Sequence, residues 1–354
     1  MRAPRDCAIT VAEREFQEVS AGMAIEHPYA LFLGDAHDTL AAKTGQGIAH
    51  WRPDWCLGQV RLPGCNADLG LPGMTVEEAA AAGARTLVIG VANRGGVIGP
   101  AWMEALEGAL DAGMDVAAGL HSRLTDVPAL AERAAARGRR LFDVRHPGRT
   151  FDVADGRRRP GRRLLTVGTD CSVGKMYTAL AIEKEARARG MDADFRATGQ
   201  TGILIAGGGV SVDAVVADFI SGAVEWLTPA NRPDHWDIIE GQGSLFHVSF
   251  AGVSLGLLHG AQADALVLCH EPTRTHMRGL ADYRVPDLKA CIEANLAAAR
   301  LTNPGARCIG VSVNTSRLPP DEGAALLRAV ENELDLPAVD AFKDGVGPIV
   351  DRMQ

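Results

Sequence analysis

The sequence predicts an α/β protein organised around two parallel sheets. Short β-branched or aliphatic runs alternate with Ala-rich stretches of helical period along most of the chain. Aromatic residues are scarce at 5%, while 40 glycines supply tight turns. Hydrophobic residues make up 47% of the 354 positions, enough to cover sheets on both faces. That length suggests two domains, at roughly 150 residues each.

In the first half, strands are predicted at Ala30–Leu33, Thr86–Ala92, Asp115–Ala118 and Arg140–Val144. Helices are predicted between them at Val76–Ala82, Ala101–Ala112 and Val127–Arg137. Lys43-Thr44-Gly45-Gln46-Gly47 imitates part of a phosphate-binding motif but lacks an upstream glycine at the right spacing, so it reads as a loop. Val88 to Pro100 reads as a strand, a glycine loop and a helix start with Pro at its first position. Without G-x-G-x-x-G spacing, a tight turn is favoured over a dinucleotide site. The segment Asp155–Arg163, DGRRRPGRR, marks the boundary and divides the chain into domains 1–155 and 156–354. It reads as a solvated linker, or as an anion-attracting lip.

Strand candidates in the second half are Leu164–Val167, Ala193–Ala197, Trp236–Glu240, Ala265–Cys269, Cys308–Asn314 and Ala338–Asp340. Strands alternating with helices of roughly 10–15 residues imply βαβ units.

The net charge of -8 argues against nucleic acid as a partner, because such binding neutralises phosphates with Lys and Arg. No stretch approaches ~18 consecutive apolar residues, so no membrane span is expected. The charged N-terminus, with Arg2, Arg5, Asp6, Glu13 and Arg14, is unlike a signal peptide. Seven cysteines, an odd number with no CxxC pair, point to a reduced compartment. These features predict a cytoplasmic protein with a small-molecule substrate. Its size suits a symmetric homo-oligomer.

The strongest chemical signal is Gly168-Thr169-Asp170-Cys171-Ser172-Val173-Gly174-Lys175, entered from an apolar strand and followed by a helix. This strand–loop–helix context is what a P-loop needs. Glycines let several N–H groups face one point, the helix N-terminus adds partial positive charge, and Lys175 adds a full one. The motif departs from G-x-x-x-x-G-K-[ST] in two ways. Five residues separate Gly168 from Gly174, and Met176 stands where a hydroxyl would meet Mg²⁺. The second departure counts against Mg-ATP hydrolysis more than against phosphate binding, and no metal site is expected.

Further candidates follow other strands, where ligands of open α/β sheets gather. Glu240 ends a strand ahead of Gly241, Gln242, Gly243 and Ser244, with His247 close behind. Glu240 is a candidate general base or a turn-stabilising carboxylate. His270, Glu271 and Arg274 follow another strand, with Arg278 one turn later. Two guanidiniums suit the carboxylates of an amino acid, and His or Glu suits its amine; a salt-bridged loop is the alternative. Gln200 and Thr201 offer an amide and a hydroxyl, and Asn314 ends a strand, where it caps a turn or, as in the P-loop proteins this segment resembles, reads an adenine. Asp213 and Asp218 read as a solvated helix face.

The P-loop spelling GTD-x-x-VGK is that of dethiobiotin synthetase and its relatives. Together, GTDCSVGK, ATGQTGILIAGGGVSVDAVVADFISGA, IIEGQGSLFHVSFAGVSLGLLHG and ALVLCHEPTR resemble the DgcN family of D-glutamate N-acetyltransferases. YALFLGDAHDTLAAKTGQGIAHW and VIGVANRGG match more loosely, so the resemblance spans nearly the whole chain. It implies a Rossmann-like N-terminal domain before a P-loop NTPase-like domain, and acetyl transfer from acetyl-CoA to the amine of D-glutamate. For that reaction we assign, from the residues themselves, Gly168 to Met176 and Asn314 to the cofactor. Gln200, Thr201, Gln242, Ser244, Arg274 and Arg278 would bind substrate. Glu240, His270, Glu271 and His247 would supply catalysis. Two rivals remain: an ATP/Mg-dependent ligase or kinase of the dethiobiotin synthetase type, and a non-catalytic nucleotide sensor.

Overall fold

The computed structural model describes residues 24–39, 41–91 and 98–354. Among these the chain forms two compact units, Ala24–Thr150 with Ala197–Val215, and Phe151–Arg196 with Val216–Gln354. The chain passes from the first unit to the second after Thr150 and returns to the first for residues 197–215.

The first unit runs β1 (Tyr29–Gly34), α1 (Lys43–Trp51), β2 (Cys56–Arg61), α2 (Val76–Ala81), β3 (Thr86–Ile89), α3 (Pro100–Asp111), β4 (Asp115–Ala118), α4 (Pro128–Arg137) and β5 (Leu141–Asp143). All pairings are parallel, in the order β2-β1-β3-β4-β5. This is a doubly wound order. Strands covered on both faces need continuous apolar runs, and YALFLG, TLVI and DVAA are buried at every position. Helix starts follow local chemistry. Thr75 and Glu78 form a reciprocal capping box ahead of α2. Pro100 and Pro128 open α3 and α4.

Lys43–Gly47 is helical, not a loop. Gly45 serves packing: its N donates to Gly90 O at 2.7 Å, and a Cβ on Gly90 would meet the Gly45 Cα at 3.0 Å. Tertiary contact outweighs poor helix propensity here. The glycine loop over residues 93–97 lies outside the described residues. The returning segment forms α6 (Gln200–Ala206), and Ile25 N donates to Gly207 O at 2.8 Å. Asp213 and Asp218 are exposed as expected, but they sit in 3₁₀ turns rather than an α-helix.

The second unit contains β6 (Arg162–Gly168), α5 (Lys175–Ala188), β7 (Ala193–Arg196), α7 (Ile220–Leu227), β8 (Trp236–Ile239), α8 (Ala251–Ala261), β9 (Ala265–His270), α9 (Leu288–Ala299), β10 (Arg307–Val313), α10 (Pro320–Leu334), β11 (Ala338–Val339) and α11 (Gly347–Asp351). Its parallel sheet has the order β11-β10-β9-β6-β8-β7. From β6 the chain winds to one side through β7 and β8, then crosses to β9. The switch point, where a crevice opens beyond the strand ends, therefore lies at the tip of β6. Among the described residues no helix is long and apolar enough to cross a membrane.

The arginine-rich segment is not a solvated linker throughout. Arg163 is fully buried, its Nη2 donating to Arg159 O at 2.7 Å and its backbone N to Asp264 Oδ2 at 2.9 Å. Arg159 is mostly buried beside Glu225 at 3.4 Å. Guanidinium groups tolerate burial when carbonyls and carboxylates surround their fork.

At the opposite ends of β7 and β8 from the P-loop, His235 sits among three carboxylates. Its Nδ1 is 2.9 Å from Asp192, and its Nε2 is 3.3 Å from Asp237 and 3.8 Å from Asp194. Burial pulls the imidazolium down, but hydrogen bonds to Asp237 and Asp192 outweigh it and raise its pKa above the ordinary value. A raised histidine contributes stability that is complete below its unfolded pKa of about 6.5 and lost as pH rises through the folded value. Melting temperature should therefore decline from pH 6 toward alkaline pH, and His235→Gln should flatten that limb. Parallel pH–melting curves for the two proteins would contradict this assignment.

Candidate ligand-binding site

The site grows from the tip of β6. Register places Gly168 opposite Cys269 of β9 and His270 opposite Val313 of β10, so three strand ends reach one level. Gly174 caps α5 with φ +103°, a left-handed conformation that glycine adopts without steric cost. Ser172 takes φ 54°, uncommon for a residue with a Cβ and found where a loop is shaped for function. Thr169 N donates to Cys269 O and Cys171 N to Asp170 Oδ1, and the loop then runs directly into α5, whose N-terminus is the kind of place where an anion is favoured.

Lys175 is only 7% exposed, and its Nζ donates to Asp170 O at 2.9 Å. Burial lowers its pKa. A partly desolvated ammonium beside such a loop gains most from an incoming phosphate. Thr166, a buried polar residue inside an otherwise apolar strand, links the next strand end: Gly241 N donates to Thr166 Oγ1 at 2.9 Å. A small cavity behind the loop is lined by Thr166, Gly168, Gly241, Gln242, Ser244 and Asn295, among others.

Asp170 organises the opposite wall. It is fully buried and accepts from Arg274 Nη1 at 2.6 Å, Arg278 N at 2.8 Å and Cys171 N at 2.6 Å. Burial pushes its carboxyl up, but these donors prevail and hold it below the usual range. Arg274 also donates to Cys171 O at 2.7 Å and Ser172 O at 3.2 Å, and Arg278 Nη1 donates to Ser172 Oγ. Arg274 thus differs from a free substrate clamp, because its guanidinium braces the P-loop. His247 Nε2 donates to Arg278 O at 3.2 Å while Nδ1 accepts from Ser249 N at 3.2 Å, so both ring nitrogens hold main chain.

Asp170, Cys171 and His247 place potential metal ligands within 4.8 Å of one another. The carboxylate of Asp170 and the ring nitrogens of His247 are already committed to the contacts above. Burial also raises the Cys171 thiol pKa. The cluster is a hydrogen-bonded corner.

Other residues fall as follows. Glu240 is buried at the end of β8, its N donating to Arg196 O at 3.0 Å. Glu271 Oε1 accepts from Thr273 Oγ1 at 2.6 Å, and Oε2 lies 3.5 Å from Arg274 Nε. Ser244 Oγ accepts from Phe246 N at 3.3 Å, and Gln242 O accepts from Ser254 Oγ at 2.7 Å. Asn314 Oδ1 accepts from Ser316 N at 3.1 Å, a turn-capping bond that leaves Nδ2 for other partners. Gln200 and Thr201 begin α6, which belongs to the first unit. Val173 is buried, and Met176 follows Lys175 in the first turn of α5. Burial pushes the Cys269 thiol up to about 11, keeping it un-ionised and a poor nucleophile.

The sequence reading did not single out Thr166, Asn295 or the pair Thr315–Asp340, joined at 2.6 Å. Thr166 carried a legible signal, a lone hydroxyl in LLTVG; the others needed the sheet order to bring them in.

A parallel sheet with a P-loop at its switch point, in a chain that also carries a doubly wound unit, defines a two-domain α/β P-loop protein. Family models match both parts: "Domain of unknown function (DUF1611_C) P-loop domain" over 152–350 and "Domain of unknown function (DUF1611_N) Rossmann-like domain" over 61–147. The chain belongs to the DUF1611 family. Over 93% of its length it is 59% identical to a Tritonibacter scottomollicae protein named D-glutamate N-acetyltransferase, covering 99% of that protein. A Pseudoalteromonas protein of the same name is 50% identical over the same shares. The crystal structure of a DUF1611 family protein from Anabaena variabilis superposes with a TM-score of 0.80 at 31% identity, covering 92% of this chain and 99% of that one.

Proposed function

We propose that this protein transfers an acetyl group from acetyl-CoA to the amine of D-glutamate. The observation that carries the reading is near-full-length similarity to two proteins bearing that activity's name, at 59% and 50% identity. The site suits it chemically. CoA carries a pyrophosphate, a 3′-phosphate and an adenine. Gly168 to Lys175 would hold a phosphate, and Asn314 Nδ2 is available for the adenine. Met176 in the magnesium-ligating slot favours a loop that binds phosphate over one that hydrolyses ATP. Arg278, Gln242 and Ser244 stand near the loop as candidates for the amino acid.

The amine attacks the thioester carbonyl as the free base, so a carboxylate or imidazole must take its proton. Glu240 and His270 are the candidates. The backbone N–H groups of Gly243 and Ser244, or Lys175, would face the developing oxyanion. A homo-oligomeric, cytoplasmic enzyme is the form expected in the cell.

Incubation with acetyl-CoA and D-glutamate should yield free CoA and N-acetyl-D-glutamate. Glu240→Gln should lower kcat about 10²–10⁴-fold with little change in acetyl-CoA affinity. ADP release that requires the amino acid would instead establish a ligase. Tight nucleotide binding without turnover would establish a sensor.

A further inference from the structure

Thr169 Oγ1 and His270 Nδ1 meet at 3.0 Å. Heavy-atom positions do not say which atom donates, but the surroundings do. Thr169 is 0% exposed, so solvent does not reach its hydroxyl. Among the described residues the hydroxyl has no hydrogen-bond partner other than His270. If Nδ1 carried the proton, the hydroxyl hydrogen of Thr169 would be buried without an acceptor. An unmade buried donor costs more than an unused lone pair. The hydroxyl therefore donates to Nδ1, and the ring proton resides on Nε2.

That N–H has no partner among the described residues, and His270 is only part-buried at the tip of β9, level with the P-loop. Burial, helped by the Arg274 cation and opposed by Glu271, lowers the imidazole pKa and keeps the ring neutral. We propose that Thr169 is a positioning residue that locks His270 in the Nε2–H tautomer, making His270 a neutral hydrogen-bond donor to an oxygen of the bound ligand rather than the general base.

The inference rests on the acetyl-transfer reading for the identity of that oxygen, the thioester carbonyl. The amine lone pair forms the C–N bond while the carbonyl π pair moves onto oxygen, where Nε2–H meets it. Collapse breaks the C–S bond and expels the CoA thiolate. The amine proton passes to Glu240, which this assignment leaves as the base. Neutral donors aimed at a developing oxyanion act without being ionised themselves.

The tautomer is read directly by ¹⁵N NMR of the full-length protein labelled at histidine, with His270→Gln assigning the signal. Protonated Nε2 and unprotonated Nδ1 at pH 7 are expected in the wild type and in Thr169→Ser, with loss of that preference in Thr169→Val. Kinetically, His270→Gln keeps an amide N–H near Nε2 but cannot act as a base. It should retain activity within about 10-fold of wild type, whereas His270→Ala loses about 10²–10³-fold. Thr169→Val should lower kcat with acetyl-CoA KM unchanged, and Thr169→Ser should restore it. A wild-type ring protonated on Nδ1, or His270→Gln as inactive as His270→Ala, overturns the proposal. Wild-type protein inactive toward acetyl-CoA and D-glutamate would defeat the acetyl-transfer reading instead, and the NMR result would still decide the tautomer.

Discussion

Lys175→Met should weaken binding of CoA by about 10- to 100-fold while leaving the fold intact. A hydrogen bond to a charged group contributes roughly 1.5–3 kcal/mol, and this ammonium is buried beside the loop that is to receive the phosphates. Methionine preserves most of the volume and removes the charge. In the ligand-free protein the substitution also removes a desolvated cation, which offsets the lost contact to Asp170 O at 2.9 Å. Melting temperature without ligand should change little. The rise in melting temperature expected on adding CoA to the wild type, by mass action, should collapse in the variant. Calorimetric titration gives Kd directly. An unchanged Kd, or a full CoA-dependent shift in the variant, would show that the loop is not the phosphate cradle.

Gly241→Ala should be among the most damaging single substitutions in the chain. An alanine Cβ there would lie 1.7 Å from Thr166 O and 2.9 Å from Lys175 Cδ. Thr166 belongs to β6 at the centre of the sheet, held between β8 and β9, so its carbonyl has no room to retreat. Accommodation requires separating the strand end from the sheet, at about 4 kcal/mol or more. Gly252 in α8 is the control, since a Cβ there meets nothing within 4 Å. Gly252→Ala should stabilise by about 0.5–1 kcal/mol through helix propensity. Denaturant midpoints compare the two. A Gly241→Ala protein as stable as wild type would mean that β8 does not approach β6 as described.

Legibility in the sequence followed the range of the physics. The P-loop was readable because its strand, turn and helix are contiguous, and glycines with a lysine at that spacing have few other uses. Strand ends at Glu240 and His270 were readable because an apolar run stops at a polar, titratable residue. Lys43–Gly47 was not, since Gly45 is explained only by the close approach of Gly90 at the end of β3. Arg163 was misread as linker because its acceptors lie at Asp264 and in the turn before β6. Arg274 looked like a substrate clamp until Asp170, 104 residues away in sequence, proved to hold it.

The sequence alone determined the α/β class, the parallel sheets, the phosphate loop and the family resemblance, because each depends on patterns within one strand–helix unit. Only the tertiary structure decided which charged groups are spent on one another and which remain for a ligand. Burial and hydrogen-bond partnership are properties of neighbours in space. The order β9-β6-β8 makes neighbours of Gly168, Gly241 and His270, which no local pattern connects.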